Sequence, residues 1–292
     1  MKVGFHFADF SYGVPPAELG ATLDAIIDWV DVAGFDRLSV MDHYFQIAAI
    51  GPAEHEMFEA YNLLGYIAAR TSRVKLGVLA TGVTYRNPGF LVKQVTGLDV
   101  LSRGRAWLGI GAAWFEREHV GLGIPFPPLG VRFEMLEEAL RVAGQMWSAN
   151  NGPFEGKHFT MAETICSPQP VQQPRPPILV AGSGERKTLR LVARYGDACN
   201  VSSQNPDETR RLLGVLREHC EAEGRDYASI ERTVSTRFDP GPQGERVNAE
   251  VERLGRLAEA GVQAALGYVI GAGDPRVREV MATRLIPALT AL

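Results

Sequence analysis

The stretch SVMDHYF, residues 39–45, sets an acid and an imidazole side by side at the end of an apolar run. Two aromatics follow at once. Ionisable groups are costly to bury unless they are paired or used. Because imidazole titrates near neutrality, His43 is a candidate proton donor or acceptor, with Asp42 orienting it or contacting a ligand. A histidine hydrogen-bonded at a strand end for structural reasons is about as common, so the pair alone assigns no role. A second stretch, AGSGER at 181–186, places small residues where a strand turns into a helix. Open backbone N–H groups at such a turn favour an anion, although an ordinary βα turn reads the same way. A third, LGVLATGVTYRNP at 76–88, runs from a buried strand through small residues into a helix cap at Asn87–Pro88. Small residues at a strand end let a flat ring approach the backbone closely.

Other chemistries fit poorly. The P-loop pattern GxxxxGK[ST] is absent, and LGIGAAW carries Trp114 where a GxGxxG fingerprint needs its third glycine. His6, His43, His55, His119, His158 and His219 show neither HxH nor HExxH spacing, which argues against a barrel metallohydrolase and assigns no metal. There is no GxSxG, and no cysteine sits in a nucleophile motif.

The elements that must position these groups alternate in kind. Strand-like runs at 2–7, 37–43, 74–82, 105–113, 178–182, 198–203, 231–238 and 264–271 are apolar on both faces, as parallel strands covered by helices are. Helical periodicity marks 15–34, 57–72, 87–104 and 132–147, with further helical stretches after each later strand, the last at 275–289. Residues 148–177 break the rhythm. They are rich in Pro, Gly and Asn but include aromatics and Met161, which reads as an ordered insertion. Eight strand–helix units in 292 residues predict an α/β fold, a (β/α)8 TIM barrel with a long insertion after helix 4, as one domain over 1–292. An open doubly wound sheet is the alternative. In a barrel, functional groups gather where strands end. That places Asp42–His43, 80–84, 111–114, 181–185, 202–205 and Phe238 around one mouth.

Composition narrows the class further. With 46% hydrophobic and 22% charged residues, the chain has material for a large core, and disorder is not expected. A net charge of −4 without a basic stripe argues against nucleic acid. Three scattered cysteines, Cys166, Cys199 and Cys220, suggest reduced thiols and a cytoplasmic location. The start, MKVGFHFADFSYG, lacks the apolar core of a signal peptide, and no run is long enough to span a membrane.

Taken together, the DH pair, LGVLATGVTYRNP, RGRAWLGIGAAWFEREH and FEGKHF through SPQPVQQPRPPILVAGSGERKTLRLVARYGDACN resemble the luciferase-like family of flavin and deazaflavin oxidoreductases. The likeness runs over nearly the whole chain and is greatest to the branch that uses coenzyme F420. It implies a barrel whose mouth holds the deazaflavin ring. Asp42 and the backbone around Leu79, Ala80 and Thr81 are then expected against the ring, and Ala181, Gly182, Ser183, Gly184 and Glu185 against the phosphate. His43 is expected to be the acid/base beside the reactive carbon, with Phe7, Tyr44, Phe45 and Trp114 as walls. The resemblance also implies a cis peptide at Leu79–Ala80, a small-molecule substrate and a homodimer. The chain departs from the sugar-phosphate dehydrogenases of the family: Trp114 stands where they carry a glutamate, and VSSQNP replaces their lysine. Both changes point away from a sugar phosphate. Hydride transfer with F420 is the leading expectation. An FMN-dependent monooxygenase and a catalytically silent cofactor-binding protein are the alternatives.

Overall fold

The computed structural model describes every residue from Met1 to Leu292. The strands, in chain order, are β1 (Lys2–Phe7), β2 (Arg37–Val40), β3 (Lys75–Val78), β4 (Thr81–Gly82), β5 (Ala106–Gly111), β6 (Phe154–Glu155), β7 (Thr160–Met161), β8 (Ile178–Ala181), β9 (Ala198–Val201), β10 (Glu231–Phe238) and β11 (Ala264–Val269). The helices are α1 (Pro16–Val32), α2 (Ala60–Arg70), α3 (Pro88–Leu101), α4 (Glu116–Leu122), α5 (Leu129–Met146), α6 (Thr188–Tyr195), α7 (Pro206–Ala222), α8 (Val247–Glu259), α9 (Pro275–Val280) and α10 (Ile286–Thr290).

The main sheet runs β3-β2-β1-β11-β10-β9-β8-β5-β4, and a further pairing of β3 with β5 closes it. Every pairing in it is parallel. With β4 continuing the line of β3, this is a closed eight-stranded parallel barrel wrapped by helices, the (β/α)8 architecture. None of the helices is long and apolar enough to cross a membrane.

Segment 148–177 folds into the antiparallel hairpin β6–β7 and an irregular run with cis Ser167–Pro168 and Gln173–Pro174 bonds. Two buried carboxylates fasten it. Glu138 accepts the N–H groups of Lys157, His158 and Phe159. Asp99 accepts those of Val171 and Gln172 and the Gln172 side-chain amide. The segment follows the fifth helix rather than the fourth, because the short α4 precedes α5.

Two apolar layers build the barrel. The outer one joins strands to helices and includes the edge-on rings of Phe5, Trp29 and Phe35. Phe7, expected as a wall of the mouth, packs in this layer, 1% exposed and stacked on Phe10 with centroids 5.6 Å apart, and also borders the cavity at the end of β1. Successive strand residues face opposite sides, so β1 turns Phe5 and Phe7 outward and His6 inward. Phe238 is likewise fully buried in the outer layer.

The inner layer is small: Trp107, Leu179, Ala198 and Leu266, with Leu79 and Ala181 above. A barrel interior of fixed bore holds one indole only if facing positions lack side chains. Gly77 and Gly109 supply that space, since a Cβ at either would collide with the Trp107 ring, and at Gly109 also with the Val78 carbonyl. Gly109→Ala is therefore expected to cost about 3 kcal/mol, the upper end of overpacking penalties. Gly97→Ala, in mid-α3 with nothing near its added methyl, is expected to gain about 0.5–1 kcal/mol from helix propensity. Urea unfolding separates the two; equal midpoints would remove the account of the barrel interior.

Candidate active site

The chain leaves β2 at Val40, and the Met41 N–H donates to the Phe7 carbonyl at 2.9 Å, so residues 42–46 start from a fixed point at the C-terminal end of the barrel. There, His43 Nδ1 lies 2.6 Å from Glu118 Oε1. Glu118 sits in the first turn of α4 and is fully buried. Its carboxylate also accepts the Tyr44 N–H at 2.7 Å, the Phe45 N–H at 3.3 Å and the Tyr85 hydroxyl. Burial alone would raise its pKa, but the His43 contact and charge, the Tyr85 hydroxyl and the Tyr44 N–H together hold it below the ordinary glutamate value. An ionised carboxylate accepts only, so the proton in the shared bond sits on His43 Nδ1. Nε2 makes no hydrogen bond within the protein.

The ring of His43 is flanked edge-on by Trp114 and Phe115, each centroid 5.5 Å away. Trp114 is 62% exposed, an outward-facing indole beside the His43 imidazole. Arg132 secures the turn that presents it: its guanidinium donates to the carbonyls of Ala112, Ala113 and Pro127 and lies 4.0 Å over the Phe126 ring. Tyr44 lies edge-on to Tyr85, and Phe45 covers Gly121 of α4.

Asp42 does not orient His43. Its buried carboxylate is held by Arg86 through two bonds, of 2.6 and 3.0 Å. Burial works against the Arg86 charge, but Asp42 more than offsets this and keeps the guanidinium pKa raised. Arg86 also bonds Glu59 and lies 4.9 Å over the Tyr61 ring, and the Tyr61 hydroxyl meets Thr81 Oγ1 at 3.0 Å. This network backs the break between β3 and β4, where Leu79–Ala80 is cis. Leu79 and Ala80 are partly exposed at the mouth, whereas Thr81 is fully buried.

Across the mouth, Ala181 ends β8 and Gly182 takes a φ of +123°, which side-chain-bearing residues rarely adopt. Ser183 Oγ accepts the Ser202 N–H at 3.1 Å and meets Ser202 Oγ at 3.0 Å. The backbone N–H groups of residues 183–187 find no acceptor in the protein, and α6 begins after them without a side-chain cap. Five open amides beside Arg186 and Lys187 fit a phosphate. The Glu185 side chain turns away: it pairs with Arg211 at 3.0 Å, and its carbonyl accepts from His219 Nε2 at 2.7 Å. Only its backbone borders this loop.

Sequence reasoning missed Glu118, Tyr85, Arg86 and His6. A carboxylate does serve the site after β5, four residues beyond Trp114, where the departure from the sugar-phosphate enzymes suggested none. The signal was present in FEREHVGLG: an acidic first turn closed by Gly123, whose φ is +69°. His6 lies inside the barrel, its Nδ1 2.9 Å from Ser39 Oγ. Burial, then the charge of His43, lowers its pKa to about 4 against a partial gain from Ser39.

The chain belongs to the luciferase-like monooxygenase family, whose profile matches residues 5–289. An F420-dependent glucose-6-phosphate dehydrogenase of Kineococcus radiotolerans is 34% identical over 217 residues, covering 72% of this chain and 61% of that protein. Its counterpart from Microbacterium testaceum is 28% identical over 215 residues, again 72% and 61%. The match thus spans about six-tenths of the length of these curated relatives. An F420-dependent secondary alcohol dehydrogenase, solved with an F420–acetone adduct, shares the fold at a TM-score of 0.80 and 19% identity over 99% of this chain and 98% of that one. The FMN-bound oxygenating constituent of 3,6-diketocamphane monooxygenase from Pseudomonas putida shares it at 0.76 and 18%, covering 98% of each.

The buried His6 gives a pH signature with a definite sign. Its folded pKa of about 4 lies below the unfolded 6.5, so the unfolded chain binds the extra proton, and stability falls as pH drops from 6.5 towards 4. Between pH 7 and 5 the loss from this residue is about 2 kcal/mol. Urea unfolding at both pH values is expected to show that loss reduced by this amount in His6→Asn; an unchanged pH dependence in the variant would contradict it.

Proposed function

We propose that the chain is an F420-dependent oxidoreductase that transfers a hydride between the deazaflavin and a small organic substrate, with His43 as the acid/base. The observation that carries this reading is the His43–Glu118 pair: one imidazole with its Nδ1 proton fixed and its Nε2 open, at the mouth of a barrel whose sequence relatives are named as F420-dependent enzymes. When bound, F420 accepts or donates a hydride. Hydride loss or gain at a carbon bearing a hydroxyl or carbonyl leaves one proton to be moved, and Nε2 of His43 is the atom that takes or supplies it.

The remaining residues bind, orient and exclude. Asp42 and the cis-linked Leu79 and Ala80, with Thr81 behind, form the face against which the ring rests. The amides from Ser183 to Lys187, reached through Ala181 and Gly182, hold the phosphate, and Glu185 braces that loop against α7 through Arg211. Trp114 and Phe115 keep water from the imidazole. Glu118, buried and ionised, holds the tautomer by accepting the Nδ1 proton. Two copies of the chain form a homodimer in the cytoplasm in this reading.

A second reading keeps FMN in the same mouth for a monooxygenase reaction, favoured by the FMN-bound diketocamphane enzyme among the structural neighbours. Fluorescence titration with F420 and FMN separates the two. Tighter binding of F420 is expected, and tighter FMN binding with oxygen uptake would reverse the order. Replacement of His43 by alanine is expected to leave F420 affinity within a few-fold and to lower single-turnover hydride transfer by roughly 10²–10⁴. A rate within about threefold of the parent at saturating cofactor and substrate would remove His43 from the chemistry.

A further inference from the structure

A cavity of about 450 Å³ opens where β1 and β11 end, within the size range of small-molecule sites. Its walls include His6, Asp9, Ser11 and Tyr12 from the end of β1, Ile50 from the loop after β2, and Tyr268 of β11. His43 is not part of its lining, but the segment that carries His43 is stitched to this wall at both ends. The Met41 N–H donates to the Phe7 carbonyl, and Gln46 Nε2 donates to the Ala8 carbonyl, both at 2.9 Å. The cavity therefore adjoins the proton-transfer group.

Its charge is one-sided. No lysine or arginine lines it. Asp9 offers a carboxylate that is 43% exposed, with one internal bond, from the Ser11 N–H at 3.0 Å. The cationic candidate nearest to it is His55, whose Nδ1 is 4.0 Å away. Glu56, outside the lining, accepts from Ser11 Oγ at 2.5 Å. Asp274 also borders the cavity, but it caps α9 and pairs with Arg276 at 2.7 Å. His6 in the floor is neutral at pH 7. Arg237, opposite Tyr268 in the β10–β11 register, is exposed and lies outside the lining. Recognition of a phosphate ester or a free carboxylate calls for arginine or lysine in the wall. Here the wall carries acids.

We propose that this cavity receives the substrate and selects uncharged or cationic organic molecules over anionic ones, with Asp9 as the specificity-determining residue. The assignment rests on the hydride-transfer reading for the identity of the ligand as substrate, while the charge selection belongs to the cavity itself. The chain is thereby separated from the curated relatives named for glucose 6-phosphate, whose substrate carries two negative charges near neutrality.

Three probes of one shape and different charge test this by calorimetric titration at neutral pH and low salt: benzylammonium, benzyl alcohol and phenylacetate. Each is titrated into the apoprotein and into protein loaded with oxidised F420. The expected order is benzylammonium tightest and phenylacetate weakest, with about a tenfold spread from one partly exposed charge. Asp9→Asn is expected to collapse the spread to within about threefold, and Asp9→Lys to invert it. Phenylacetate binding as tightly as benzylammonium, a spread unchanged in Asp9→Asn, or no binding of any probe at its solubility limit would each overturn the proposal. Failure of F420 to bind would instead overturn the cofactor reading and leave the apoprotein comparison standing.

Discussion

The site depends on one buried carboxylate. Glu118 is fully buried, and an ionised carboxylate in that position is tolerable only because its oxygens are saturated by donors. Those donors come from two places in the chain: the residues that follow β2 (His43, Tyr44 and Phe45) and Tyr85 in the turn after β4. One side chain on α4 thus fixes two loops and the tautomer of a histidine. Removing a partner would leave a buried group unpaired, which costs more than the bond itself is worth. The same logic recurs beside the β3–β4 break, where Arg86 joins Asp42 to Glu59 and so holds the loop after β4 to the N-cap of α2.

The barrel below supplies rigidity. Trp107 fills the inner layer because Gly77 and Gly109 leave room for it, and this apolar floor supports a polar upper storey. There, Asn200 bonds Thr233 at 2.9 Å and Ser235 at 2.7 Å, and His6 meets Ser39. Polar groups inside a barrel are stable when paired in this way. The mouth above them is open on one side towards five unpaired amides and on the other towards an acid-lined cavity. The two ends differ in the groups they present, backbone N–H donors on one side and a carboxylate on the other.

Much of the architecture was legible in the sequence. Parallel strands buried on both faces read as apolar runs, so each of the barrel strands fell within its expected range, and α3 was marked by its Asn87–Pro88 cap. Two features were not legible from periodicity. The run 74–82 is two strands around a cis bond, and the seven-residue α4 is too short for a helical period to register. The site was half legible. His43 and the small-residue turn at 181–185 stand out locally. Their partners do not, because Glu118 meets His43 across 75 residues and Arg86 meets Asp42 across 44, pairings that only the closed barrel creates. Asp42 and His43, adjacent in sequence, consequently serve different networks.

The central claim is that Glu118 fixes the proton of His43 on Nδ1 and leaves Nε2 free for exchange. Long-range proton–nitrogen NMR of protein labelled at the histidine nitrogens reads this directly, with His43→Asn giving the assignment. At a pH where the ring is neutral, His43 is predicted to be protonated on Nδ1, and Glu118→Gln is predicted to weaken or abolish that preference. A neutral His43 carrying its proton on Nε2, or a tautomer unaffected by Glu118→Gln, would contradict the account.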